Sequence, residues 1–411
     1  MARTDHPDSP DWDRMDASSE PDGAQPAAPT PHDAPSTRGQ VVAVALVALM
    51  VCGGMAYWWF SSLDRPVAPP PAGQVHQPTI AAVYDPPATG IEDALNKGDG
   101  QIFAALATDP LAHHTDNIRK GPEEQAYRYQ RPAYGWLGWA ISGGRTSAVA
   151  WSLIGLTAVA AALLVAAGAQ FLVGRGADPR WALVLLLCPG LVIDITWVGP
   201  ETLGTALLVF GLVRWPLTGA QRAARGSSPD WLAVACFAAA GLCRETLLLI
   251  PFVLMVSDLV RRRTGWALGA ACSAAPYVLW VLYLRVQIGA WPKGSVGGRL
   301  SVVPFGGMVS AASGWRPGDA FVAAMILALA VLALVLDRSS GLRPLIAANL
   351  VFAALLGSAV WTRFPDFSRV LLPMTALSML ALVVARKGTE AVDGTSATDD
   401  AAVAPPVVAV T

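Results

Sequence analysis

Six stretches of this chain, residues 41–60, 146–173, 264–284, 320–336, 344–362 and 370–385, contain no Lys, Arg, Asp or Glu. A helix crossing a bilayer needs about 20 apolar residues, with a range of roughly 17–25. Tyr57, Trp58 and Trp59 close the first stretch, the aromatic signature of a membrane interface. Composition agrees: 54% of residues are hydrophobic and 14% charged, against about 25% charged in soluble domains. Mean hydropathy is +0.45. The chain reads as an all-α integral membrane protein, a polytopic helical bundle. A formal net charge of −1 gives no overall attraction to phosphate backbones and argues against nucleic acid as a partner.

The ends carry different chemistry. Residues 1–38 are rich in Pro, Asp, Ser and Ala and cannot build a core, so they read as a disordered tail, and the first apolar run starts too late for a cleavable signal peptide. Residues 388–411 form a second low-complexity tail expected to be disordered. The membrane domain is residues 39–387. Cys52, Cys188, Cys236, Cys243 and Cys272 all lie in apolar stretches without metal-ligand spacing and read as small apolar residues.

Two further regions are apolar with isolated charges. Residues 181–213 contain Asp194 and Glu201 around a Val-Gly-Pro-Glu break, and residues 231–257 contain the adjacent Arg244 and Glu245. Arg214, Arg222 and Arg225 follow the first; Arg261, Arg262 and Arg263 follow the second. Both clusters stay cytoplasmic only if each region goes out and comes back, which places Glu201 and Arg244–Glu245 at outer turns. This gives about ten transmembrane helices, both termini cytoplasmic, and a large outer first loop over residues 64–144.

The chemistry of that loop concentrates in residues 95–135. A Pro-rich stretch, 66–87, reads as an extended spacer. Gly98 and Gly100 then permit a tight turn that presents Asp99. Ile102, Phe103, Leu106 and Leu111 read as a short amphipathic helix on the membrane surface, ending near Asp109-Pro110. The bland alternative for Asp99 is a helix cap. Tyr127-Arg128-Tyr129-Gln130-Arg131 places two arginines three apart among aromatics, a pattern suited to phosphate or carboxylate, or to anchoring at the interface. The following YGWLGWAISGG reads as an interfacial or re-entrant helix. His113 and His114 read as solvated rather than metal-binding. Asp194 is an intramembrane acid and so a functional candidate by position.

Two segments carry a resemblance. Asp99-Gly-Gln101-Ile-Phe-Ala-Ala-Leu-Ala-Thr-Asp109-Pro110 and Ala126-Tyr-Arg128-Tyr-Gln130-Arg131-Pro-Ala-Tyr134 are similar to a first-loop pattern, D-G-Q-F-Y-Y-x-x-A-x-D-P followed by Y-R-Y-Q-R. That pattern belongs to the C-type (GT-C) superfamily of polytopic membrane glycosyltransferases that use polyprenyl-phosphate sugars. Arg244-Glu245-Thr246 and Ser368-Arg369-Val-Leu-Leu-Pro373 resemble segments of the same group. Ile102 and Ala104 stand where the pattern has aromatics, and Ala133-Tyr134-Gly135 departs from its apolar-Tyr-Pro ending.

The resemblance implies transfer of a sugar from a polyprenyl-phosphate donor to an envelope glycan, lipid or protein on the outer face of the plasma membrane. Asp99 would be the catalytic base, acting directly or through a divalent metal (Mg or Mn), with Asp109 or Glu201 as a second acid. Arg128, Arg131, Arg244 and Arg369 would hold the donor phosphate, and Gln101, Tyr127, Tyr129 and Gln130 would line the substrate. Membrane lipids surround such a protein as partners. The rival classes are a transporter or flippase of a lipid-linked or anionic solute, with Asp194 in its path, and a non-catalytic scaffold.

Overall fold

The computed structural model describes residues 37–64, 90–96, 99–115, 118, 120–224, 228–293 and 300–399. The spacer at 66–87, Gly98, Arg225 and, of the two tails, residues 1–36 and 400–411 lie outside these. Among the described residues there is no sheet; Leu300 and Leu356 form one isolated antiparallel bridge.

The chain begins with α1 (Thr37–Ser61). The first loop then carries α2 (Gly90–Asn96), α3 (Gly100–Thr108), α4 (Pro122–Tyr129) and α5 (Pro132–Ser142), and leads into α6 (Thr146–Val173). A 3-10 helix, Pro179–Leu187, precedes α7 (Pro189–Trp197) and α8 (Glu201–Arg214). Then come α9 (Gly219–Ala224), α10 (Trp231–Cys243), a 3-10 turn at Glu245–Leu248, and α11 (Leu249–Val260). The remainder is α12 (Thr264–Cys272), α13 (Ala275–Ile288), α14 (Gly306–Ala312), α15 (Pro317–Leu336), α16 (Arg343–Leu355), α17 (Ser358–Trp361), α18 (Phe364–Val370) and α19 (Leu372–Asp399).

Four helical segments are long and apolar enough to cross a membrane: Thr37–Ser61, Thr146–Val173, Thr264–Ile288 and Pro317–Leu336. The number rises to six if each of two bent pairs, Pro179–Leu187 with Pro189–Trp197 and Phe364–Val370 with Leu372–Lys387, is one span. The protein is therefore a multi-pass helical membrane protein. Its outer surface fits that solvent. α1 buries Val44, Ala48, Cys52, Ala56 and Phe60, one residue per turn, while Val42, Leu46 and Met50 are exposed. Such a narrow stripe of mostly small residues lets α1 pack closely on α6, and its other faces suit lipid rather than water.

The bends have local causes. Pro189 and Pro373 have no N–H to give the carbonyl four residues back, and their rings crowd it. The pairs bend there by 64° and 62°. The uncharged run 344–362 is not one helix. α16 stops at Leu355 because the loop before α14 takes its last carbonyls: Ser301 N–H donates to Leu355 (2.7 Å) and Phe305 N–H to Ala354 (2.6 Å). At the far end, α19 continues to Asp399, so residues 388–399 are helical where the composition predicts disorder. Extension of a helix already nucleated by packing costs little.

Contacts trace two ends. At one, Arg38 lies beside Gly174, Lys387 Nζ donates to the Gly176 carbonyl, and Arg214 pairs with Asp230 at 2.8 Å. At the other, Arg244 pairs with Glu201. α8, from Glu201 to Arg214, separates them by about 20 Å. α10 starts beside Arg214, reaches Glu201 at Arg244, and α11 returns to where Asp258 accepts from Trp215 Nε1 at 3.2 Å. Residues 231–260 thus form a hairpin turning at Arg244–Glu245.

The first loop differs from the amphipathic surface helix that the sequence predicts. Every residue from Gly100 to Ala107 is buried, because the face opposite Ile102 and Phe103 is built of Ala and Gly and packs as closely as the apolar one. Gly135 of α5 lies against Leu106, and Gly138 against Ala107 and Leu153 of α6. α5 keeps an outward face of Leu137, Trp139 and Ile141, as an interfacial helix would.

A Cβ on Gly135 would stand 2.3 Å from Leu106 Cβ, whereas one on Gly53 meets nothing within 4 Å. Gly135→Ala should therefore lower stability by roughly 1–3 kcal/mol through overpacking, read as a drop in Tm in detergent. Gly53→Ala should leave Tm unchanged or slightly raised. Equal Tm values for the two variants would contradict this helix crossing.

Candidate functional site

Asp99 sits at the N-cap of α3 but makes no capping hydrogen bond there. Its carboxylate instead accepts from Arg369 Nη2 at 2.9 Å and lies 4.0 Å from Arg128 Nη1. Residues 270 positions apart meet here, because α18 carries Arg369 at its C-terminal end and packs on α7. Trp197, the last residue of α7, places its ring 4.9 Å from the Arg369 guanidinium. Gly190 of α7 lies directly against the Ser368 backbone, where any side chain would collide.

The α4–α5 joint supplies the other loop arginines. Pro132 opens α5, so Gln130 and Arg131 form the corner between the two helices. α13 pins that corner: Trp280 Nε1 donates to the Tyr129 carbonyl (2.8 Å) and Tyr277 O–H to Gln130 Oε1 (3.1 Å). Arg128 Nε donates back one turn to Glu124 at 2.8 Å. Arg131 grips Glu245 with both prongs, at 2.7 and 2.6 Å, and also donates to the Tyr127 hydroxyl at 3.1 Å. The Tyr127 ring lies within 5.5 Å of both guanidinium groups.

A third corner joins α7 to α8. Val198 adopts a left-handed φ of 57°, and Asp194 Oδ2 accepts from the Thr202 N–H at 2.6 Å, capping α8. A Cβ on Gly199 would crowd the carboxylate oxygens of both Asp194 and Glu201, so glycine lets the two acids share this corner. Glu201 in turn meets Arg244.

Burial makes the cluster electrostatically demanding. Arg369 is 6% exposed, yet among the described residues its Nε and Nη1 have no hydrogen-bond partner, nor has Nε of Arg244. On the acidic side, Asp194 Oδ1 and Glu201 Oε2 are buried without a partner among the described residues. Burial alone would push the Asp99 carboxyl up, but Arg369, Arg128 and Arg131 outweigh it and hold it at about 2. Glu245 is likewise pushed up by burial and pulled to about 2 by Arg131 and Arg244. Burial and the nearby Arg131 and Arg369 bring Arg244 down to about 10. Chemically, this is a knot of guanidinium groups with unused N–H donors beside an ionised carboxylate.

Of the residues singled out in the sequence, Asp99, Arg128, Arg131, Arg244, Arg369, Glu201 and Tyr127 converge. Gln130 and Tyr129 support the α4–α5 corner, and Gln101 is buried within α3. Asp109 stands apart at the other end of α3, where its carboxylate accepts from the N–H groups of His113 (3.0 Å) and His114 (2.6 Å) and shapes a turn. Glu124 and Trp197 were not anticipated. The i, i+4 spacing of Glu124 to Arg128 was a readable signal; nothing in the sequence marks Trp197. Among the described residues no three His, Cys, Asp or Glu groups are placed to hold a metal ion. The guanidinium groups around Asp99 would repel a divalent cation, so the donor set does not fit one. Compared with known protein families, curated proteins and solved structures, the chain matches none.

The depressed Asp99 value fixes a pH dependence. The folded carboxyl lies near 2, below its ordinary 3.8, so its stabilisation is complete above about pH 4 and lost as pH falls through about 2. Wild type should exceed Asp99→Asn in Tm near neutral pH, and the gap should close between about pH 4 and 2. A gap independent of pH across that window would show that Asp99 is not held as an ion pair.

Proposed function

We propose that this protein is a membrane glycosyltransferase that moves a sugar from a polyprenyl-phosphate carrier to a cell-envelope acceptor on the outer face of the plasma membrane. The observation that carries the reading is the buried Arg369, whose Nε and Nη1 have no partner among the described residues while Nη2 holds Asp99. Buried guanidinium groups are costly unless their donors are used, and a phosphate monoanion or diester supplies matching acceptors. The first-loop resemblance to C-type glycosyltransferases supports the same assignment.

In this reading the donor phosphate takes the unused N–H groups of Arg369 and Arg244. The acceptor hydroxyl loses its proton to Asp99 as its oxygen bonds to the anomeric carbon. The bond from that carbon to the phosphate oxygen breaks, and the polyprenyl phosphate leaves as an anion held by the arginines. Asp99 alone is a weak base at about 2. Phosphate bound to Arg369 would draw positive charge away from it and raise its basicity, so donor binding and base strength are coupled. No step needs a metal.

The orientation follows from charge. Arg38, Arg175, Arg214, Arg261, Arg263, Arg338, Arg343 and Lys387 all lie at the end away from Asp99. We take that end as cytoplasmic, with both tails, and the Asp99 end as external; about half of all Lys and Arg then lie outside, but the rule weighs short turns such as those after Arg214 and Val260 above long loops such as the first. Counting the shorter α8, α10, α11 and α16 as crossings gives ten. The bent pairs Pro179–Trp197 and Phe364–Lys387 favour one rival, a flippase or transporter, because broken helices often frame transport sites.

Transfer from radiolabelled polyprenyl-phosphate sugars in proteoliposomes tests the assignment. Asp99→Asn should cut turnover by roughly two to four orders of magnitude with donor binding retained. Arg369→Lys, which keeps charge but loses the fork, should weaken donor binding. Carrier movement across the bilayer without release of sugar would establish the transporter instead, and full turnover by Asp99→Asn would refute the base.

A further inference from the structure

The α7–α8 corner holds two buried acids that glycosyl transfer does not use. Asp194, in the last turn of α7, is fully buried, and Glu201, the first residue of α8, is 2% exposed. Each has one oxygen engaged. Asp194 Oδ2 accepts from the Thr202 N–H at 2.6 Å, and Glu201 Oε1 faces Arg244 Nη1. The other two oxygens, Asp194 Oδ1 and Glu201 Oε2, have no partner among the described residues. Both are aimed at one point, since a Cβ built on Gly199 would crowd Oδ1 of the first and Oε2 of the second.

Carboxylate oxygens are acceptors only, so two of them turned on each other need a donor between them. Two carboxyl groups sharing a buried site also resist ionising together. The surrounding charges are matched without Asp194. Arg369 faces Asp99, Arg128 faces Glu124, Arg131 faces Glu245, Arg244 faces Glu201 and Arg363 faces Asp366. The charged and titratable groups around Asp194 are Glu201 on α8, Arg369 on α18, Arg244 and Cys243 at the end of α10, and Tyr134 on α5. We propose that Asp194 binds a proton on Oδ1 and donates it to Glu201 Oε2, so that the two acids together carry one negative charge. Glu201 keeps that charge because Arg244 is its partner, while Asp194 Oδ2 still accepts from Thr202. The shared proton ties the end of α7, which carries Trp197, to the start of α8. An ionised Asp194 would instead compete with Asp99 for Arg369. The inference rests on the geometry of this corner and not on glycosyl transfer.

Infrared difference spectroscopy of the full-length protein in nanodiscs near neutral pH tests it, wild type against Asp194→Asn. Wild type should show a protonated-carboxyl stretch that shifts with side-chain carbon-13 aspartate and that Asp194→Asn lacks. The labelled band is read on wild type and needs no variant. Asparagine can donate from Nδ2 to Glu201 and accept from Thr202 through its oxygen, so Asp194→Asn should keep the wild-type Tm. Glu201→Gln, which strips Arg244 of its counter-charge, should lower Tm by roughly 5 °C or more. Absence of a labelled band in wild type, its persistence in Asp194→Asn, or an Asp194→Asn chain that misfolds or loses as much Tm as Glu201→Gln would overturn the proposal. So would a wild-type Tm higher in sodium chloride than in choline chloride with the difference lost in Asp194→Asn, which would assign the two oxygens to a monovalent cation.

Discussion

A guanidinium group taken out of water must find acceptors for its donors, and at Arg369 this protein satisfies only part of that demand. Nη2 is met by Asp99, Trp197 lies against the cation, and the other two nitrogens are buried without a partner among the described residues. The rest of the cluster follows from the same constraint. Arg131 is neutralised by a two-pronged bond to Glu245, Arg128 by Glu124 and more distantly by Asp99, and Arg244 by Glu201. Each of these acids comes from a helix end or a break, where the chain changes direction. Breaks in apolar helices, which would weaken a simple bundle, are here what carry the charges to one place.

Close helix packing then sets the geometry. α3 is held by glycines of α5, α5 by α6, and α7 by the backbone of α18. None of these contacts involves a charged group, yet together they fix Asp99, Arg131, Trp197 and Arg369 relative to one another. A side chain at Gly135 or Gly190 would separate them without touching any of the four. The division of labour is physical: dispersion and small residues place the elements, while ion pairs between helix ends decide how the charged groups face each other.

Much of this was legible in the chain. Uncharged runs of bilayer length marked α1, α6 and α15, and paired cationic clusters after 214 and 260 marked the 231–260 hairpin. Asp99, Arg128 and Arg131 stood out as charges in a loop too specific for a tether. What was not legible depended on partners distant in sequence. The composition of α3 reads equally as a surface helix, and only the glycines of α5 bury its second face. The 344–362 run gives no sign of its break, which comes from residues 300–305 taking its carbonyls. The roles of Glu245 and Trp197 are invisible for the same reason, since each is defined by an arginine more than a hundred residues away.

The central claim, that the unused donors of Arg369 and Arg244 form a phosphate site, is tested most directly by imaging the bound anion. Cryo-electron microscopy of the full chain in nanodiscs containing polyprenyl phosphate should show the phosphate within hydrogen-bonding distance of Arg369 Nε and Nη1 and of Arg244 Nε, with the Asp99–Arg369 contact lengthened. A phosphate bound elsewhere, with the 2.9 Å Asp99–Arg369 pair intact and the same nitrogens still unpartnered, would contradict it.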